Sequence, residues 1–361
     1  MFRFNQLGQI HLEITNRCQA SCPQCARTGP GGSVNPRLKL ADWTLDQFKQ
    51  IISPEVLSQI QHYYFCGNYG DPLLNGHLIP MIEYSREVNP RVRTCIYTNG
   101  SLRSPEWWRQ LARALPPNHR VIFGIDGLAD THAVYRVGTD FDRVVANAQT
   151  FIEAGGRAEW AFIRFRHNEH QVDRARELAG QTGFEAFTMK DSGRFWLDLE
   201  WPVKDRAGHT QATLEPSRHT AIRFFDRQAL KSYQQVVKST EIACTARASR
   251  EVYIDAHGQV YPCCFLGIVP DSPLLHPEFA PVQEHMLGEH AALMAALGGE
   301  QALNAHHRSI KDIIESPAYQ TIWDGFWQQG QLTTCAGHCG VNTPISRPEE
   351  MFVERTSLAA S

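Results

Sequence analysis

The sequence predicts an α/β fold. Three observations point there: β-rich runs and helical stretches alternate from residue 9 to about 190, the runs are bounded by polar or Gly/Pro signals, and the intervening stretches carry apolar residues at helical spacing. Repeated βα units build a parallel sheet covered by helices. Six of them form an open or partial barrel or a doubly wound sheet, and periodicity alone leaves both open. In a barrel the chemistry sits at the C-terminal ends of the strands.

Taken in order, strands are expected over 9–15, 62–66, 92–97, 121–125, 158–165 and 184–189. Helices are expected over 78–88, 105–114, 141–154 and 171–181, the last with Val172, Ala175, Leu178 and Ala179 on one face. Past residue 195 the pattern gives way to a stretch rich in Trp, His and Arg, and then to a segment bearing cysteines from Cys244 to Cys339. The expected organisation is therefore 1–195, a bridging segment 196–241, a smaller domain 242–345 and a tail 346–361 that acts as a strap or frays. Inside the smaller domain, residues 252–262 read as a β-hairpin turning at Gly258. Residues 268–308 look like an insertion with an alanine-rich helical piece over 291–297, and 310–327 is helix-like.

With 361 residues, 42% hydrophobic and 20% charged, the chain is globular, with a prior of about two domains. A net charge of −3 leaves no electrostatic footprint for nucleic acid or an anionic membrane. No apolar run approaches the roughly 20 residues of a membrane span, and the first residues lack the apolar core of a secretory signal. A cytoplasmic location is expected, with neither membrane nor nucleic acid as partner. Ten cysteines in a reducing compartment point to metal or redox chemistry rather than to structural disulfides.

Directly after the first strand come Cys18, Cys22 and Cys25, spaced C-x3-C-x2-C. Thiolates are the ligands of iron–sulfur clusters, and three of them on a cubane leave a fourth iron free. A structural zinc wants a closed set of four, and no fourth Cys or His lies close in sequence. The second strand ends in Cys66-Gly67-Asn68-Tyr69-Gly70-Asp71-Pro72, the third in Thr98-Asn99-Gly100 and the fourth in Gly124-Ile125-Asp126-Gly127, with Arg136 shortly after. Alone these are ordinary turn chemistry; all of them fall where a parallel barrel puts its site. His167 and His170 lack a third ligand and read as a solvated turn. His11 and Glu13 share one face of the first strand and line the barrel or meet helices. Cys66 and Cys95 read as core thiols.

In the second domain Cys244, Cys263, Cys264, Cys335 and Cys339 supply ligands for one four-coordinate site, which suits an iron–sulfur cluster or zinc. Cys264 points opposite Cys263 if the strand continues, and an exchange of their roles stays open.

These motifs together resemble the radical S-adenosylmethionine superfamily, with a C-terminal domain similar to the SPASM and twitch auxiliary domains. The resemblance implies a partial (β/α)6 barrel of TIM type over 1–195 and an auxiliary-cluster domain over 242–345. It implies one [4Fe-4S] cluster on Cys18, Cys22 and Cys25 that binds S-adenosylmethionine, and a second, auxiliary one of the shorter twitch type on Cys244, Cys263, Cys335 and Cys339. Gly70 and Asp71 match a Gly-Gly-Glu-Pro-like turn that meets the methionine amino group. Asn99, Asp126 and Arg136 are the other cofactor-binding positions it implies, whereas Gly124 stands where relatives often have Ser, and no role is carried to it. The implied activity is reductive cleavage of S-adenosylmethionine to a 5′-deoxyadenosyl radical that abstracts a substrate hydrogen, in peptide or protein modification, served by an external one-electron donor such as flavodoxin or ferredoxin. The alternatives are dehydrogenation of a small hydroxylated metabolite and, in a different class, a non-catalytic iron–sulfur or zinc protein.

Overall fold

The computed structural model describes every residue except 30–31, 206–207, 275, 331 and 359–361. Six strands, β1 (Gln9–Leu12), β2 (His62–Phe65), β3 (Arg93–Thr98), β4 (His119–Gly124), β5 (Ala158–Arg164) and β6 (Ala186–Asp191), lie side by side in chain order, each parallel to the next. Helices Leu45–Ile51 and Pro54–Gln59 cross from β1 to β2, and Leu78–Val88, Pro105–Ala114, Phe141–Glu153 and Val172–Thr182 supply the four later crossovers. Their limits are set locally. Ser104 caps Pro105–Ala114 by accepting from Trp107 N, Asp140 caps Phe141–Glu153 by accepting from Arg143 N, and Gly183, at φ 94°, ends Val172–Thr182.

Side chains alternate along the strands. Ile10, Leu12, Tyr63, Phe65, Ile96, Val121, Phe123, Trp160 and Phe187 are buried in one core that includes the helix residues Trp108, Leu111 and Phe151. The other face carries His11, Tyr64, Tyr97, Arg120, Glu159, Thr188 and Lys190. A parallel sheet covered by helices on both sides would be apolar on both, so this polar face is consistent with a partial barrel rather than a doubly wound sheet. Arg120 and Arg355 pair with Glu159 at 3.3 and 3.1 Å, and Thr188 donates to the same carboxylate.

Both edges of the six strands are covered by chain from the C-terminal half. After a separate hairpin of β7 (Trp201–Lys204) and β8 (Thr210–Leu214), β9 (Glu251–Ile254) pairs parallel to β1 and β10 (Val260–Tyr261) pairs antiparallel to β9. The expected hairpin around Gly258 forms, but it extends the barrel sheet instead of standing apart. At the other edge β11 (Phe352–Ser357) runs antiparallel to β6. The tail is therefore a strap: Arg355 reaches Glu159 and Glu354 reaches Arg176, which fixes an edge that would otherwise expose unpaired backbone. The resulting order is β10-β9-β1-β2-β3-β4-β5-β6-β11.

The strand expected to carry Cys263 and Cys264 stops at Tyr261, and a short helix Cys264–Gly267 follows. The alanine-rich piece belongs to a longer helix, Ala280–Ala296, and the 310–327 stretch splits into Ile310–Ile314 and Pro317–Gln328 at Ser316, which caps the second part. Among the described residues no helix is long and apolar enough to cross a membrane.

Candidate active site at the strand ends

The loop bearing Cys18, Cys22 and Cys25 lies over the C-terminal ends of the strands and is tied to several of them. Arg27, itself buried, donates from Nη1 to Asn16 O at 2.6 Å, and Ser21 N donates to Val137 O at 2.8 Å. Gln24 is gripped by the chain just beyond β6: Ser192 Oγ donates to its side-chain oxygen at 2.7 Å and Arg194 Nη1 to its carbonyl at 3.1 Å. The sulfurs are close enough that charge on Cys22 or Cys25 opposes ionisation of Cys18, and charge on Cys25 that of Cys22. Burial pushes the Cys18 thiol well up and Cys22 up to about 11, the latter opposed by the Arg136 guanidinium. Cationic iron is what such buried thiols need in order to ionise.

Each expected cofactor residue arrives at this loop. Asp71, 5% exposed, accepts from Leu73 N (3.0 Å), Thr98 Oγ1 (2.9 Å), Asn99 N (2.8 Å) and Asn99 Nδ2 (2.5 Å). Asn99 Nδ2 also stands 3.8 Å from Cys18 Sγ, and its Oδ1 accepts from Gln19 Nε2 at 2.7 Å. Asp126 is fully buried between Arg136 Nε (2.5 Å) and Ile163 N (2.5 Å), and the Arg136 guanidinium continues toward Cys22. Both carboxylates therefore spend their oxygens inside the protein and shape the pocket through Asn99 and Arg136.

Two glycines find a reason here. A Cβ on Gly124 would lie 2.3 Å from Arg136 Nη2, so the residue leaves room for the guanidinium beside Asp126. A Cβ on Gly70 would lie 1.9 Å from Thr15 O, because the loop after β2 crosses directly over β1's exit.

Glu13 holds that crossing, a role that period-2 alternation on β1 did not distinguish from simple lining. Its Oε1 accepts from Tyr69 N at 2.8 Å and Gly70 N at 2.9 Å, while Tyr253 of β9 donates its hydroxyl to Oε2. Burial raises the Glu13 carboxyl to about 7. A carboxyl held above its unfolded value of about 4.5 contributes stability that is complete below that pH and lost as pH rises through about 7. Glu13→Gln, which cannot ionise, is accordingly expected to gain on wild type by ~1–3 kcal/mol between pH 5 and pH 8. Thermal melts at both pH values check this; a pH-independent difference would contradict it.

His132 joins the site by accepting from Asp126 N at 3.2 Å, whereas His11 and His167 do not touch the cysteine loop, and the His167 ring nitrogens are buried rather than solvated as expected. His11 faces Cys66 O and stacks against Tyr64, and His167 stacks on Phe165. Tyr97, 41% exposed, and Lys190 stand on the polar face toward the C-terminal ends of β3 and β6.

The second cysteine set also converges. Cys244 caps the helix Thr245–Ser249, Cys263 precedes Cys264–Gly267, and Cys335 and Cys339 lie one turn apart on Thr333–Cys339. All four line one cavity with Trp323, Trp327, Phe265 and His338. Cys264 does not: its charge would meet Cys66 and Glu251 on the barrel side. Near these sulfurs the buried Tyr319 Oη has no hydrogen-bond partner among the described residues, and the Trp327 indole faces Cys335. Among the described residues no three Cys, His, Asp or Glu side chains close on a point that one metal ion could occupy. Four thiols are the donor set of a tetrahedral zinc site and of a cubane alike. Both donor sets are of the kind that holds iron–sulfur clusters.

Residues 12–177 match the family model of the Radical SAM superfamily, a stretch that runs from the last residue of β1 through β5 and includes the first cysteine loop. No curated protein matches the chain. Among solved structures, Streptococcus suis SuiB bound to S-adenosylmethionine is 12% identical with a TM-score of 0.55 over 96% of this chain and 77% of that one. SuiB bound to precursor peptide SuiA is 13% identical, TM-score 0.55, over 92% and 72%. AnSMEcpe with bound AdoMet is 13% identical, TM-score 0.51, over 86% and 78%. At such identities the likeness is one of fold.

Proposed function

We propose that this chain is a radical S-adenosylmethionine enzyme that holds a [4Fe-4S] cluster on Cys18, Cys22 and Cys25 and modifies a peptide or protein. The observation that carries the reading is convergence: residues at the ends of β2, β3 and β4, through Asp71, Asn99, Asp126 and Arg136, meet the three-cysteine loop. When bound, the cluster supplies the electron that cleaves S-adenosylmethionine to methionine and a 5′-deoxyadenosyl radical. The chain's own part is to bind, orient and exclude water. Gly70 and its neighbours offer main-chain groups to the methionine end, Asn99 and Arg136 stand beside the cysteines, and the polar face with Tyr97 and Lys190 receives the substrate hydrogen donor. Peptide as substrate class is supported by the peptide complex of SuiB, which shares the fold.

In the same reading Cys244, Cys263, Cys335 and Cys339 hold an auxiliary cluster with no open iron, an outer electron relay rather than a substrate ligand. An external one-electron donor such as flavodoxin or ferredoxin completes the circuit. The reading is tested by anaerobic reconstitution and chromatography of 5′-deoxyadenosine after reduction; absence of cleavage would favour a non-catalytic iron–sulfur protein. Cys335→Ala, assayed at saturating S-adenosylmethionine, is expected to keep cleavage and lose most substrate product. Full product formation would make the second cluster dispensable.

A further inference from the structure

The loop after β2 is seated on the chain that carries Cys263. Asn68 Nδ2 donates to Cys264 O at 3.0 Å, and the Tyr69 hydroxyl donates to Ile268 O at 2.9 Å. A third tie runs through Glu13, which accepts from Tyr69 N and Gly70 N on one oxygen and from the Tyr253 hydroxyl on the other. The two accepting carbonyls belong to the turn that starts at Cys263: Gly267 N donates to Cys263 O at 3.2 Å and Ile268 N to Cys264 O at 3.0 Å. Tyr69 is 6% exposed, so its hydroxyl has little water to turn to if that turn shifts. Between Gly67 and Asp71 the loop has little play, since a Cβ on Gly67 would lie 2.3 Å from Gly70 O and Asp71 N donates to Arg17 O at 2.8 Å in the first cysteine loop. A displacement of the Cys263 turn is therefore passed to Gly70, Asp71 and the chain beside Cys18.

We propose that Asn68 and Tyr69 are positioning residues through which occupancy of the four-cysteine cavity sets the affinity for S-adenosylmethionine at the first site. This rests on the reading above, in which the loop after β2 meets the methionine end and the cavity holds a cluster. Cluster ligation fixes Cys263, the turn presents Cys264 O and Ile268 O, and the loop takes its binding shape. An empty cavity frees the turn, and the loop must then be ordered at the expense of ligand affinity. The coupling is a thermodynamic link between two separate sites through named hydrogen bonds.

The test is calorimetric titration of S-adenosylmethionine into the reconstituted full-length protein for wild type, Tyr69→Phe, Cys335→Ala and the double variant, with iron counted in each. Tyr69→Phe should keep wild-type iron and weaken binding about fivefold, the usual worth of one such bond. Cys335→Ala should lose about half the iron and also weaken binding, and the double variant should be no weaker than the weaker single, since both cut one path. Unchanged affinity in Tyr69→Phe, or single effects that multiply in the double, would overturn the proposal. Asn68→Ala and Cys244→Ser stand in where a first variant fails to fold. A purely structural role for Tyr69 would lower the melting temperature and leave the two effects independent. Iron separates the two levels: wild type with only about four irons refutes the auxiliary cluster itself, whereas about eight irons with unlinked affinities refutes the coupling alone.

Discussion

Replacing Cys18, Cys22 and Cys25 together by alanine is expected to abolish reductive cleavage of S-adenosylmethionine while leaving about half of roughly eight irons in the reconstituted protein. The two cysteine sets lie in different parts of the fold. One covers the ends of the barrel strands, and the other lines a cavity between Cys244, the Cys263 turn and the helix Thr333–Cys339. Loss of the first set should not empty the second. The three replaced thiols are buried or half-buried, and alanine removes the need to ionise them, so the fold should survive. Iron and sulfide analysis, electron paramagnetic resonance of the reduced variant and chromatography of 5′-deoxyadenosine together check the expectation. Loss of all iron, or stoichiometric zinc in native protein, would contradict the two-cluster reading; cleavage that persists would remove these cysteines from the chemistry.

Gly70→Ala should be the most damaging single substitution at the site. The added Cβ would meet Thr15 O at 1.9 Å and Thr15 C at 2.7 Å, so main chain on one side or the other has to move. Neither side is free. Thr15 bridges Asp42 three residues past the end of β1, while the loop is held by Glu13 and by the bond from Asp71 N to Arg17 O. If the loop lifts, Asp71 draws away from Thr98 and Asn99, and Asn99 from Cys18. A cost of about 2–4 kcal/mol is expected, matching losses from strained backbone and a broken buried network, with S-adenosylmethionine affinity down by roughly 30-fold or more. A Cβ at Gly124 meets the Arg136 guanidinium rather than main chain, so the cost there falls on the ion pair with Asp126 and not on the backbone. Calorimetry and thermal melts on cluster-loaded protein decide the matter. Wild-type affinity in Gly70→Ala would show that the loop after β2 does not shape the cofactor site.

Much of this was legible locally. Strand and helix order from β1 to β6 follows from the period of apolar residues, and the three-cysteine loop, the glycine turn at 70 and Asn99 stand at strand ends where the backbone leaves the ladder. These signals survive in sequence because strand alternation, helix caps and turns depend on residues within a few positions of one another. The neighbours of the six strands were not legible. β9 lies beside β1 across about 240 residues of chain and β11 beside β6 across about 165, and a strand edge records no local sign of what will cover it. The same holds within the site. Asp71 and Asp126 have their oxygens turned inward, Glu13 bridges Tyr253 to the loop after β2, and Gly124 yields space to Arg136. Cys263 was separated from Cys264 only when the strand expected through both ended at Tyr261 and the following turn sent their side chains to different places. Which residue types carry the chemistry is written in spacing along the chain; which atom each one faces depends on hydrogen bonds and close approaches between distant segments, and these exist only once the chain has folded.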